Sequence, residues 1–228
     1  MSRVLFIGAH PDDVELGCGG TINNLVENGS EIRVIFIAEG TSCRYNKEEI
    51  ETEEVRKEIK FRTDCAIKSL NNLGVNSYKF YNLPCGRLDR EPLIDINKII
   101  EKEINDFTPG TIYTHSNSDV NRDHRIVFES TRIATRPGSK HFVKEVFLYE
   151  VLSSTEWNFN DSFEPNVFVK LSEENLRTKI NSFNFYSTEK KEFPYPRSDE
   201  GIKTLAKYRG MQIGTRYAEA FKLFRGVK

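Results

Sequence analysis

Three side chains capable of metal or acid–base chemistry fall within four positions near the start of the chain, in Ala9-His10-Pro11-Asp12-Asp13-Val14-Glu15-Leu16-Gly17. They follow Val4-Leu5-Phe6-Ile7, a continuous apolar run of the kind expected for a strand buried on both faces of a parallel sheet. His10 and Asp13 can converge on one cation, supplying an imidazole nitrogen and a carboxylate oxygen. Asp12, between them, is then free to face an attacking water as a base. An isolated Asp-Asp pair more often caps a helix by accepting from its orphan amides. A second polar cluster shifts that balance: Thr114-His115-Ser116-Asn117-Ser118-Asp119-Val120-Asn121-Arg122-Asp123-His124. It follows another short strand and so belongs at the same edge of the sheet as His10, where sites of open α/β sheets lie. His124, in the first turn of the next helix, completes a His/Asp/His set. Three protein ligands with one open position is the form of a catalytic zinc site, whereas structural sites are closed by four.

The elements that must position these clusters can be read from periodicity and punctuation. After Val4–Ile7, a helix is expected near Thr21–Glu27, closed by Asn28-Gly29. Ile32–Ala38 reads as a second strand and Glu48–Leu73 as a charged helix ending at Gly74. Val75–Tyr81 is a third strand, Glu91–Phe107 a helix, and Thr111–Thr114 a fourth strand after Pro109-Gly110. Asp123–Thr135 is helical and Glu145–Tyr149 a fifth strand. This alternation implies an α/β fold with a doubly wound, mainly parallel sheet flanked by helices. After Tyr149 the rhythm breaks into a C-terminal strand and helix extension, with a strand over Asn166–Leu171 and helices over Glu173–Tyr186 and Ser198–Gly210. No composition shift marks a second domain, so residues 1–228 are expected to form one.

With 228 residues, 29% charged and 38% hydrophobic, the chain has the make-up of a soluble globular enzyme. A net charge of −1 gives no reason to expect nucleic acid or a membrane surface as a partner. From Lys170 onward, however, 13 Lys and Arg stand against 7 Asp and Glu, which is either a solvated face or a wall for an anionic substrate such as a nucleotide-linked sugar. Cys18, Cys43, Cys65 and Cys85 are widely spaced, contain no C-x-x-C pair, and read as reduced thiols. There is no secretory signal and no apolar run long enough for a membrane span, so the chain is expected to be cytoplasmic.

The sequence resembles the PIG-L/LmbE-like zinc N-deacetylases, in their bacterial branch. Ala9-His10-Pro11-Asp12-Asp13 with Gly19-Gly20, and Asp123-His124 after the fourth strand, carry the likeness. Ala134-Thr135-Arg136-Pro137, Ser153-Ser154-Thr155-Glu156-Trp157, Phe163-Glu164-Pro165-Asn166 and Tyr217-Ala218-Glu219-Ala220-Phe221 extend it over nearly the whole chain. The resemblance implies a Rossmann-like fold, with His10, Asp13 and His124 as zinc ligands and Asp12 as general base. It also implies an N-acylated amino sugar or sugar conjugate as substrate. Many relatives carry a histidine three positions before the last ligand, and here that position is Asn121. A side-chain amide can donate to an oxyanion but cannot shuttle a proton. His115 could take that acid role, or Asp12 could act first as base and then as acid.

Asp123 is expected either to orient a ligand or to sit as an acid at a helix N-terminus. Arg44, after the second strand, is the best candidate for gripping substrate oxygens, with Arg62 and Arg197 behind it. Trp157 could stack on a sugar ring, although a single tryptophan is more often core. Three other readings compete. A nucleotide-binding oxidoreductase would need G-x-G-x-x-G, which Gly17-Cys18-Gly19-Gly20 does not supply. A non-catalytic sugar- or metal-binding module would not need Asp12, and an amidohydrolase could act on a non-sugar amide.

Overall fold

The computed structural model describes residues 2–228. Strands β1 (Arg3–Gly8), β2 (Glu31–Ala38), β3 (Ser77–Leu83), β4 (Thr111–His115), β5 (Glu145–Tyr149), β6 (Val167–Lys170) and β7 (Ala218–Gly226) form one sheet. Its order is β3-β2-β1-β4-β5-β7-β6. The first five strands are parallel, and β7 runs antiparallel to both β5 and β6. Helices α1 (Asp13–Glu27), α2 (Glu53–Asn72), α3 (Leu93–Phe107), α4 (Arg122–Ala134), α5 (Glu173–Phe183) and α6 (Asp199–Gln212) cover the two faces.

The apolar run of β1 divides as a strand's two-residue period requires. Val4 and Phe6 enter one core with Val34, Phe36 and Tyr113, while Leu5 and Ile7 enter the other with Ile35, Ile37 and Ile112. Truncating Ile7, which is fully buried, to Ala should cost about 2–5 kcal/mol. Both layers press on β1, so its carboxyl end is a rigid support for His10.

Two elements differ from the sequence expectation. Helix α1 begins at Asp13 rather than near Thr21. Its glycines read as loop residues, but at Gly17 they serve close packing: a Cβ there would clash with the Tyr149 ring. Strand β7 was not anticipated, because Glu219, Lys222 and Arg225 interrupt its apolar pattern. Glu219 is nonetheless buried, accepting from the backbone N–H of Gly20 (2.9 Å) and Thr21 (2.7 Å) and pairing with Lys179 at 2.6 Å. A buried carboxylate is tolerated where its oxygens are satisfied in this way.

Candidate metal and acid–base site

The carboxyl ends of β1 and β4 and the first turns of α1 and α4 bring three of the four histidines together. Asp13 Oδ2 is the hub. It accepts from the His10 backbone N–H at 2.7 Å and lies 3.3 Å from His10 Nδ1, 3.3 Å from His124 Nε2 and 3.5 Å from His115 Nε2. One ligand atom each from His10, Asp13 and His124 falls within 4.8 Å of the others, and all three residues are buried.

Two of the three imidazoles have an acid behind them. His10 Nε2–H donates to Asp123 Oδ2 at 2.9 Å, and Asp123 also accepts from the backbone N–H of Gly86 (2.6 Å) and Leu88 (3.2 Å). His124 Nδ1 lies 3.1 Å from Asp119 Oδ2. Asp119 in turn accepts from Thr155 Oγ1 (2.6 Å), from Ser154 Oγ and from the Asn121 N–H (2.8 Å). This backing leaves His10 Nδ1 and His124 Nε2 facing Asp13, the tautomers a shared cation requires.

Three carboxylates around two imidazoles leave an anionic cluster that suits a divalent cation. Asp13 Oδ1 and both ring nitrogens of His124 are buried without a hydrogen bond, Nδ1 having only its ion-pair approach to Asp119. Burial alone would lower the pKa of His124, but Asp13 and Asp119 outweigh it and push the ring up to about 9. The residues therefore fit a bound metal.

Asp12 stands apart from this set. It occupies the position before α1 with φ 114°, a region costly for a side-chain-bearing residue, and its carboxylate does not cap the helix. Its Oδ2 instead takes Arg197 Nη1 at 2.8 Å and Arg62 Nη2 at 3.0 Å, while Oδ1 is buried and unpartnered. Burial raises the Asp12 pKa and the two guanidiniums lower it, leaving it at about 6.

The arginines are more committed than their sequence positions imply. Arg62 is buried and donates to the Pro11 carbonyl at 3.1 and 2.8 Å besides pairing with Asp12 and Glu189, so its guanidinium is committed to bracing Asp12. Arg197 also donates to Ser153 Oγ at 2.5 Å. Arg44 is the exposed member, paired with Glu189 at 2.5 Å. Of the positive charge after Lys170, Lys179, Lys190, Arg177, Arg209 and Arg216 are paired with Glu219, Asp199, Glu174, Glu150 and Glu173, and Arg197 alone among these contacts Asp12. Trp157 is 44% exposed, not core, and meets the Tyr195 ring edge-on at 6.3 Å.

His115 packs against His124. Its ring stacks on His124 at 4.0 Å, its Nε2 accepts from the Ala9 N–H at 2.7 Å, and it has no exposed surface. Burial and the neighbouring His124 push its pKa well below the usual imidazole range, so it is a neutral packing group and a poor candidate for an acid. Asn121 caps α4, its Oδ1 accepting from the Asp123 N–H at 3.0 Å. Sequence reasoning gives Asp119 and Glu189 no role and reads Cys85 only as a reduced thiol. Asp119 lies inside the cluster already singled out, and Cys85 directly follows β3 at the same sheet edge. Glu189 has no comparable signal, since only the tertiary fold brings it to Arg44 and Arg62.

Residues 5–135 match the PIG-L family, described as GlcNAc-PI de-N-acetylase. The chain belongs to this family. It is 28% identical over 178 residues to the uncharacterized deacetylase YaiS of Escherichia coli, covering 78% of this chain and 86% of that one. Its fold is similar to that of N,N'-diacetylchitobiose deacetylase from Pyrococcus horikoshii, with a TM-score of 0.76, 22% identity, and coverage of 99% of this chain and 84% of that one. It is equally similar to GalB, the 4-carboxy-2-hydroxymuconate hydratase of Pseudomonas putida, with a TM-score of 0.79, 19% identity, and coverage of 100% and 98%. At these identities the two structures speak to fold. Among the described residues no helix is long and apolar enough to cross a membrane.

Proposed function

We propose that this chain hydrolyses the N-acetyl amide of an amino sugar or sugar conjugate, with a zinc ion held by His10, Asp13 and His124 and with Asp12 as general base. The observation that carries this reading is the division of labour between adjacent acids. Asp13 Oδ2 faces the imidazoles, whereas Asp12 Oδ2 is held by Arg62 and Arg197, which leaves the second Asp12 oxygen for a water proton. Membership of a de-N-acetylase family and likeness to a diacetylchitobiose deacetylase support amide cleavage on a sugar.

When bound, zinc supplies a Lewis acid for the amide carbonyl and lowers the pKa of water towards roughly 7. Asp12 Oδ1 accepts the proton of the attacking water. A carboxylate with a pKa of about 6 is ionised at neutral pH yet basic enough to take that proton. The Asn121 amide is offered to the oxyanion as a hydrogen-bond donor. With His115 neutral and enclosed, Asp12 itself returns the proton to the departing nitrogen, giving a free amine and acetate. Arg62 and Arg197 hold the Asp12 carboxylate in place through both steps, and Arg44 meets substrate oxygens at the exposed rim.

The test is a panel of N-acetylated mono- and disaccharides and sugar conjugates, with acetate and free amine measured together. Zinc-loaded protein should release them one for one, and Asp12→Asn should release neither at a comparable rate. A chain that adds water to an alkene, as the GalB hydratase does by its name, would consume its substrate without releasing acetate.

A further inference from the structure

The deacetylase reading leaves the thiols beside His10 without a role. Cys43 follows β2 and Cys85 follows β3, and their sulfurs lie 3.1 Å apart. Cys85 is buried and Cys43 exposed, so the pair runs from solvent to the back of His10. His10, Cys85 and Asp123 together offer one imidazole nitrogen, one sulfur and one carboxylate oxygen within 4.8 Å of each other, all from buried residues.

The two loops are fixed in this arrangement. Glu39 joins them, its carboxylate accepting from the Cys85 N–H at 2.8 Å and the Ser42 N–H at 3.0 Å. Gly86 adopts φ +69°, and a Cβ there would lie 2.9 Å from the Cys43 Cβ. A glycine is therefore required for Cys43 to approach, and its N–H also holds Asp123.

We propose that Cys43 Sγ, Cys85 Sγ, an Asp123 oxygen and His10 Nε2 form a second cation site for thiophilic divalent metals, zinc in excess or cadmium. Two sulfurs, an imidazole nitrogen and a carboxylate oxygen make a four-coordinate set of the kind zinc accepts, and the sulfurs favour soft ions over magnesium or calcium. On binding, both thiols release their protons to solvent, and the His10 ring proton shifts from Nε2 to Nδ1, which keeps the imidazole neutral. His10 belongs to both sets through opposite ring nitrogens. Filling the second set removes the hydrogen bond that orients Nδ1 towards Asp13, so excess cation inhibits. The cation site stands without the hydrolase reading, and only the inhibition rests on it.

The experiment uses full-length, metal-free protein reduced with a non-chelating phosphine, with free thiols counted beforehand. Cadmium is titrated in and the sulfur-to-cadmium charge-transfer absorption followed. Wild type should show a thiolate band that saturates at one such ion per chain. The band should be lost in Cys85→Ser, weakened at least tenfold in affinity in Cys43→Ser, and kept in His124→Ala, which loses a ligand of the other set only. Circular dichroism confirms that each variant is folded. In parallel, the rate at excess zinc is divided by the rate at one equivalent for each protein. That ratio should fall well below one in wild type and stay near one in Cys43→Ser. Absence of the band in fully reduced wild type, or its survival in Cys85→Ser, would overturn the site. Equal ratios would overturn the inhibition. A band in a protein that releases no acetate would leave the site standing and remove the hydrolase reading.

Discussion

Replacing Arg197 by Met should move the acid limb of the pH–rate profile upward. Asp12 titrates at about 6 because burial, which raises its pKa, is opposed by Arg62 and Arg197. Arg197 Nη1 is 2.8 Å from Asp12 Oδ2, and the arginine side chain is only 16% exposed, so solvent screens the pair little. Removing an opposite charge at this range raises a carboxylate by about one to three units, or about 1.4–4 kcal/mol. Glu189, 3.5 Å from the same nitrogen, stays behind and pushes in the same direction. The limb should then fall at about pH 7–9. At pH 7, kcat/KM should drop roughly 2- to 100-fold, with most of the loss recovered in alkaline buffer. Arg197→Lys should return the limb most of the way, which a purely structural defect would not do. The assay is acetate release against pH, with thermal melts to confirm folding, since Arg197 also holds Ser153. A limb that stays put while the rate falls by one constant factor at every pH would refute Asp12 as the titrating base.

Asp12→Asn should lower turnover on the order of 10²-fold or more while zinc content stays at the wild-type level by elemental analysis. Asp119→Ala should weaken zinc affinity about 10- to 100-fold in a chelator competition, because it frees the His124 ring from behind. In metal-free protein, His124 titrates at about 9 against the ordinary 6.5, so its charged form stabilises the fold. That contribution, about 3 kcal/mol, is complete below pH 6.5 and disappears as pH rises through 9. Melting temperature should fall across that window without metal and not with zinc, which holds the ring deprotonated. Arg44→Ala should raise KM with little change in kcat, the mark of a rim contact made equally in ground and transition states.

The parallel core and the two polar clusters were legible because buried strands write continuous apolar runs and because strand order places their carboxyl ends at one edge. Helix α1 was shortened in the sequence reading because Gly17, Gly19 and Gly20 look like a loop until Tyr149, Lys179 and Leu171 are seen packed against them. Strand β7 was hidden by a buried ion pair that no local pattern encodes. At the site, the convergence of His10, Asp13 and His124 could be read from residue type and strand order, but the groups behind them could not. Glu189 is 145 residues from Arg44, yet it decides how much charge the arginines present. His115 illustrates the converse: residue type and position place it in the cluster, while its complete burial is set by tertiary packing that no local pattern shows.

The central claim is that one metal ion sits between His10, Asp13 and His124 beside a free Asp12 oxygen. Anomalous diffraction at the zinc edge, from crystals of protein loaded with one equivalent of zinc, tests it most directly. The account predicts a single strong peak about 2.0–2.2 Å from His10 Nδ1, an Asp13 oxygen and His124 Nε2. A peak elsewhere, with these three side chains left unligated, would contradict it.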